Sequence, residues 1–199
     1  MPKIYLDPSV DETNVYASGG NNEYYMNLIA DAMVPYLEIA GIGYTRNNPG
    51  DTLTDIINQS NAEKYDLHLS LRSTPAMEIQ QGPIVYYSAL NPQAQSAAYD
   101  FARNLWSIYP DPALVDMVPN STIPEITAIN APTVFIDLVN SANYEDTTWL
   151  KNNVYKIART LVFGLTDYFN IPFAVRREPI APPRKEEIQH AQCLLRSLS

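Results

Sequence analysis

Four charged side chains hold the positions from which this chain could do chemistry. The opening apolar run Ile4-Tyr5-Leu6 ends in Asp7-Pro8, and after a polar loop Glu23 stands where a helix begins. A carboxylate at a strand end and a second at the next helix start is an arrangement by which α/β proteins hold a metal ion or a catalytic acid. Asp137 closes the apolar run Thr133-Val134-Phe135-Ile136 and supplies a third carboxylate at a strand end. Arg72 ends the run Asp66-Leu67-His68-Leu69-Ser70-Leu71-Arg72, whose strict alternation is strand periodicity and places His68, Ser70 and Arg72 on one polar face.

Each of these residues also has a plainer reading. Glu23 in a first helical turn stabilises its own helix by ~0.3 to 1 kcal/mol without any site role. Asp7, Asp11 and Glu12 are hard oxygen donors that could recruit Ca²⁺ or Mg²⁺, or form an ordinary solvated acidic loop. His68 lies four strand residues, ~13 Å, from the Arg72 position. It therefore reads as a buried, hydrogen-bonded histidine rather than a displaced ligand. Ser70 and Ser73 near His68 resemble a hydrolase triad only superficially, since no Gly-x-Ser-x-Gly elbow accompanies them. Among fourteen tyrosines, Tyr86, Tyr87 and Tyr24 are candidates to line a groove for sugar or peptide.

The elements that must position these groups follow from periodicity. Asn21 or Asn22 caps a helix whose apolar positions Met26, Ile29, Met33 and Leu37 recur at helical spacing, with Pro35 predicting a kink. Gly41 ends it, and a short strand through Tyr44-Thr45-Arg46 and a turn at 47–50 come next. A second helix is expected over 52–63 with Leu53, Ile56 and Ile57 toward the sheet. A strand at 82–88, a helix at 93–108, the strand at 133–138 and one long helix at 149–169 complete the alternation. Strand and helix in turn predict an α/β fold of three layers, a twisted, mostly parallel or mixed sheet with helices on both faces.

Composition bounds the rest. A chain of 199 residues, 46% hydrophobic and 18% charged, buries one core of ordinary size. The net charge of −9 repels phosphate backbones, so nucleic acid is not an expected partner. One cysteine, Cys193, permits neither an internal disulfide nor a multi-thiolate zinc site. No apolar run spans a bilayer, and Met1 beside a structured strand favours a cytoplasmic protein, with a trimmed export signal as the alternative. Residues 174–185 read as a proline-rich spacer and 186–199 as an amphipathic helix with Ile188, Ala191, Leu195 and Leu198 on one side. That tail docks on its own domain, on a protein partner, or on another subunit.

Five of these stretches, in order, resemble the zinc-dependent N-acetylmuramoyl-L-alanine amidases of the Amidase_3 type, which hydrolyse peptidoglycan. Lys3-Ile4-Tyr5-Leu6-Asp7-Pro8 is similar to the family's opening strand, Glu23 to its helix-starting Glu, and Thr45-Arg46 to its second strand end. The stretch from Asp66 to Thr74 is similar to a family strand ending in His-Ala-Asn, and Ile136-Asp137-Leu138-Val139-Asn140-Ser141-Ala142-Asn143 to the strand carrying its catalytic Glu. The resemblance covers residues 3–173 and implies an amidase-like domain. It also implies a zinc held by two His and one Glu, with the late Glu as general base. Here Val10 and Arg72 stand at the His positions, Glu23 is the one matching ligand, and Asp137 replaces the base with a carboxylate one methylene shorter. Val donates no lone pair and Arg repels a cation, so no bound metal is expected. Arg72 is expected instead to bridge Glu23 and Asp137. The function implied is a catalytically degenerate homologue that binds or regulates, with peptidoglycan fragments or a protein as partner. The alternatives are an active amidase rebuilt on Glu23 with Asp7, Asp11 or Asp137, and an assembly protein docking through its tail.

Overall fold

The computed structural model describes residues 1–77 and 79–172. Six strands form one sheet: β1 (Lys3–Pro8), β2 (Gly43–Arg46), β3 (Leu67–Thr74), β4 (Ile84–Tyr87), β5 (Asp116–Pro119) and β6 (Thr133–Asn140). Their order across the sheet is β2-β1-β3-β6-β4-β5. The pairs β1·β2, β1·β3 and β3·β6 are parallel, β4 runs antiparallel to β6, and β5 is parallel to β4. The sheet is therefore mixed, as expected. The helices are α1 (Asn22–Ala40), α2 (Leu53–Ala62), α3 (Pro92–Trp106), α4 (Pro124–Ala128), α5 (Tyr144–Asn152) and α6 (Val154–Tyr168).

Strand alternation divides the sheet into two unlike faces. Ile4 and Leu6, Leu67, Leu69 and Leu71, Val85 and Tyr87, and Val134, Ile136 and Leu138 point into one continuous core beneath α1, α3 and α6. The intervening residues face the other way, toward a far smaller apolar cluster of Tyr5, Ile56 of α2 and Tyr65. Most of the hydrophobic stabilisation, at ~25 cal/mol per Å² buried, lies on the first face. The second is free to carry polar groups. Gly164 lets α6 settle against α3, where an added Cβ would lie 2.7 Å from the Phe101 ring.

Several expectations change in detail. Leu53 is exposed rather than sheet-facing, because Thr52 caps α2 in a capping box with Asp55 and so fixes which side Ile56 and Ser60 present. The expected long final helix is two helices that meet at Asn153, whose backbone sits at φ −124° and ψ 17°. α1 continues as one helix through Pro35. Tyr87 is buried in the main core, on the face opposite Tyr86, so it lines no groove. The spacer at 174–185 and the tail at 186–199 lie outside the described residues.

Candidate functional site

Parallel pairing brings the C-terminal ends of β1, β3 and β6 together, and the charged residues singled out above on these three strands share the polar face there. Asp7 is in register with Ser70, and Ser70 with Phe135; Arg72 is in register with Asp137. The side chains therefore stand in rows across three strands. Asp7 is fully buried, as are His68 and Ser70.

One carboxylate oxygen of Asp7 organises the cluster. Its Oδ2 accepts from Arg72 Nη2 at 2.6 Å and from Ser70 Oγ at 2.9 Å, with His68 Nε2 3.3 Å away. Arg72 Nη1 donates to the Asp7 carbonyl at 2.6 Å and to the Leu71 carbonyl at 3.0 Å. Arg72 Nη2 also reaches Glu125 Oε1 of α4 at 3.2 Å, and the guanidinium lies 5.7 Å from the Phe135 ring centre. His68 bridges Ser60 Oγ of α2 at 2.9 Å and Ser70 Oγ at 3.0 Å. Because Ser70 gives its proton to Asp7, its oxygen is open to accept from His68 Nε2, and Nδ1 then accepts from Ser60. Burial alone would raise the Asp7 carboxyl, but the Arg72 charge, together with hydrogen bonds from His68 and Arg72, holds it down at about 2. Burial works against the Arg72 charge too, and the Asp7 and Glu125 carboxylates outweigh it and raise its pKa.

This overturns the expected bridge from Arg72 to Glu23 and Asp137. Glu23 is half-buried and accepts from Asn27 one turn on in its own helix, at 3.1 Å. Its backbone N–H donates to the Asp11 carbonyl at 3.1 Å. The guanidinium turns toward β1 because Asp7 stands one strand away on the same face, whereas Glu23 belongs to α1, which covers the other one. Asp137 feels the Arg72 charge, yet its hydrogen bond comes from Thr74 Oγ1 at 2.7 Å. Burial raises Asp137 to about 6, partly opposed by Thr74 and Arg72.

The remaining candidates separate. Asp11 accepts from both the N–H and the hydroxyl of Thr13, an Asx turn, while Asp7 faces inward, so the acidic residues of this loop do not converge. Ser73 Oγ donates to Tyr16 on the side away from His68, and the Ser70–His68–Asp7 cluster is closed to solvent. Tyr86 packs edge-on to Phe135 and, with Asp137, lines a cleft of about 390 Å³. A neighbouring cleft of about 340 Å³ is walled by Val10, Arg72, Glu125 and Phe135, and Thr74 belongs to both. Tyr24 is exposed at the start of α1.

The zinc implied by the resemblance does not fit these residues. Val10 offers a hydrocarbon, Arg72 a cation already bonded to two carboxylates, and Glu23 is turned to Asn27. Among the described residues no three His, Cys, Asp or Glu side chains group to hold a metal ion.

Three participants had no role assigned from sequence, although Asn140 lies within the stretch 136–143 that carries the resemblance. Glu125 sits on a five-residue helix too short for periodicity, its one signal being Pro124 at the first helical position. Asn140 holds Ala76, Met77 and Gln80, accepting from Ala76 N at 2.9 Å and donating to the carbonyls of Met77 and Gln80 at 2.8 and 2.9 Å. A β-bulge between Arg72 and Thr74 brings Asn140 opposite Thr74. Asp146, buried at the start of α5, accepts from Asn140 N, Gly82 N and the Tyr109 hydroxyl.

The order, directions and two faces of the sheet define an amidase-like α/β fold. No known family profile matches the chain, and no curated protein matches it either. Solved structures do. The CwlD amidase from Clostridioides difficile, in complex with the GerS lipoprotein, matches with a TM-score of 0.75 at 14% identity, over 85% of this chain and 99% of that one. The catalytic domain of CwlV, an N-acetylmuramoyl-L-alanine amidase from Bacillus (Paenibacillus) polymyxa var. colistinus, matches at 0.72 and 15% identity, over 86% and 99%. Cwp6 from Clostridium difficile matches at 0.74 and 17% identity over 84% of this chain, which spans 29% of that longer protein.

Proposed function

We infer that this protein is a homologue of the peptidoglycan amidases that has left zinc hydrolysis and acts by binding or regulation. The observation that carries the reading is the Asp7–Arg72–Glu125 ion cluster at the strand end where the resemblance calls for a histidine ligand. A guanidinium held by two buried carboxylates satisfies that corner electrostatically, so a divalent cation there would meet a fixed like charge. Fold by itself carries no activity. Asp137, short by one methylene and bonded to Thr74, is a poorly placed base, and misplacement by ~1 Å costs about a hundredfold in rate. The two clefts that meet at Thr74 are the proposed seat for a peptidoglycan fragment, with Tyr86 as an apolar platform. A protein partner is the other candidate; one of the similar structures holds a lipoprotein. In this reading residues 1–173 form the binding domain and 174–199 an appendage.

Metal content by mass spectrometry on protein purified without chelator, paired with peptide release from muropeptides, tests it. The expected result is metal far below one per chain and no release, with the protein sedimenting alongside purified peptidoglycan. Stoichiometric zinc with turnover overturns the reading.

A further inference from the structure

Among the described residues that line it, the cleft of about 390 Å³ beside Asp137 has two carboxylates and no Lys, Arg or His. β4 lies between β6 and β5, and Ile84 is in register with Asp137 on one side and with Asp116 on the other. Residues opposite one another in a sheet share a face, so the two carboxylates flank Ile84 at two strand spacings, about 10 Å, from each other. Tyr86, two residues along β4, stands on the same face. Burial first, and then the charges of Asp137 and Asp116, raise its phenol. Ile79, Ile84, Leu114 and Val139 supply an apolar lining around these groups.

Asp137 is the unsatisfied member. It is 9% exposed, and its Oδ1 accepts from Thr74. Its Oδ2 receives no hydrogen bond from any described residue. A carboxylate so deeply buried with one oxygen unbonded is costly, and Thr74 and Arg72 offset that only in part.

The free oxygen selects its partner. A divalent cation is held by carboxylates that converge on it, and these two stand about 10 Å apart. A guanidinium fork takes both oxygens of a carboxylate, and Thr74 already holds one. A quaternary ammonium has no N–H to give. A primary ammonium, a compact charge with three donors, bonds a single oxygen and is attracted to an aromatic face beside it. We propose that this cleft seats a primary ammonium group carried on an apolar stem, the ammonium donating to Asp137 Oδ2 beside the Tyr86 ring and the exposed Asp116 drawing the charge in. The proposal rests on the reading of the two clefts as a binding seat and narrows what the seat accepts. On a peptidoglycan fragment the recognised feature is a free amino group.

The probe is n-butylammonium chloride, titrated at pH 7.5 into the full-length ¹⁵N-labelled protein, with n-butanol and sodium chloride at equal concentrations as controls. Amide shifts at Thr74, Ile84 and Tyr86 should saturate in the millimolar range with the ammonium and with neither control. Asp137→Asn keeps the bond from Thr74 and relieves a buried charge, so it folds, and it should weaken binding about tenfold or more. Asp116→Asn and Tyr86→Leu should each weaken it about threefold. Shifts that never saturate, shifts confined to other surfaces, an equal response to butanol, or binding undiminished by Asp137→Asn overturns the proposal. A protein that binds butylammonium here yet does not sediment with peptidoglycan keeps the ammonium seat and loses the polymer as its target. One that sediments while its cleft ignores the ammonium does the reverse.

Discussion

Replacing Arg72 by Met keeps the aliphatic stem over Phe135 and deletes the charge, which makes Arg72→Met the sharpest probe of the cluster. The substitution removes two 2.6 Å hydrogen bonds to Asp7 and the contacts to Leu71 and Glu125, and leaves Asp7 charged with no exposure to water. Breaking a buried pair by removing one partner costs ~3 to 5 kcal/mol, and that is the loss expected at pH 7.5. The pH dependence carries the diagnosis. In the native protein Asp7 is held at about 2 against an ordinary 3.8. Its contribution, about 2 kcal/mol, is therefore full above pH ~4 and is lost as the pH falls through ~2. Without Arg72, burial is opposed only by the His68 and Ser70 hydrogen bonds, so the Asp7 carboxyl rises from its native value and the variant takes up a proton on acidification at a higher pH than the native protein does. Urea unfolding at pH 7.5 and 4.5 should show a large gap between the two proteins that narrows at the lower pH. Asp7→Asn combined with Arg72→Met should recover part of the loss at pH 7.5. A cost below ~1 kcal/mol, or a gap independent of pH, refutes the assignment of Arg72 as the counter-ion of Asp7.

Asp137 has the opposite sign. Its carboxyl is raised to about 6, so ionisation opposes folding: stability is highest below pH ~4 and declines as pH rises through ~6. Asp137→Asn keeps an acceptor for Thr74 and should stabilise by about 3 kcal/mol at pH 8 and by nothing at pH 4, read from unfolding curves. Asn140→Ala should cost about 2 kcal/mol and speed hydrogen exchange at Ala76 and Ala142, whose N–H groups it now satisfies. Gly82→Ala should cost at least as much, since the backbone sits at φ +97° and the new Cβ would lie 2.0 Å from the Leu114 carbonyl oxygen; thermal unfolding checks it.

The three strands that build the site were legible because β3 alternates strictly and β1 and β6 carry unbroken apolar runs into a core. β5 was not legible, since four mostly exposed residues at a sheet edge need no apolar pattern. The break between α5 and α6 was hidden as well: Asn152-Asn153 carries neither proline nor glycine, and the apolar stripe continues across it. Asp7 and Arg72 were each visible as chemistry-bearing residues, but their partnership depends on Asp7 lying in register with Ser70, a fact of strand pairing. Glu23 was assigned to the cluster by the motif that contains it, whereas its carboxylate accepts from Asn27 one turn on in its own helix, a local bond that a motif does not reveal.

The Asp7–Arg72 pair also limits how this sequence can change. Either residue altered alone leaves the other charged in the interior, at a cost comparable with much of the ~5 to 15 kcal/mol that holds a typical domain folded. Selection therefore sees two positions 65 residues apart as one heritable unit. A histidine at the end of β3 is reachable only along a path that first discharges Asp7, so the cluster closes that route to single substitutions.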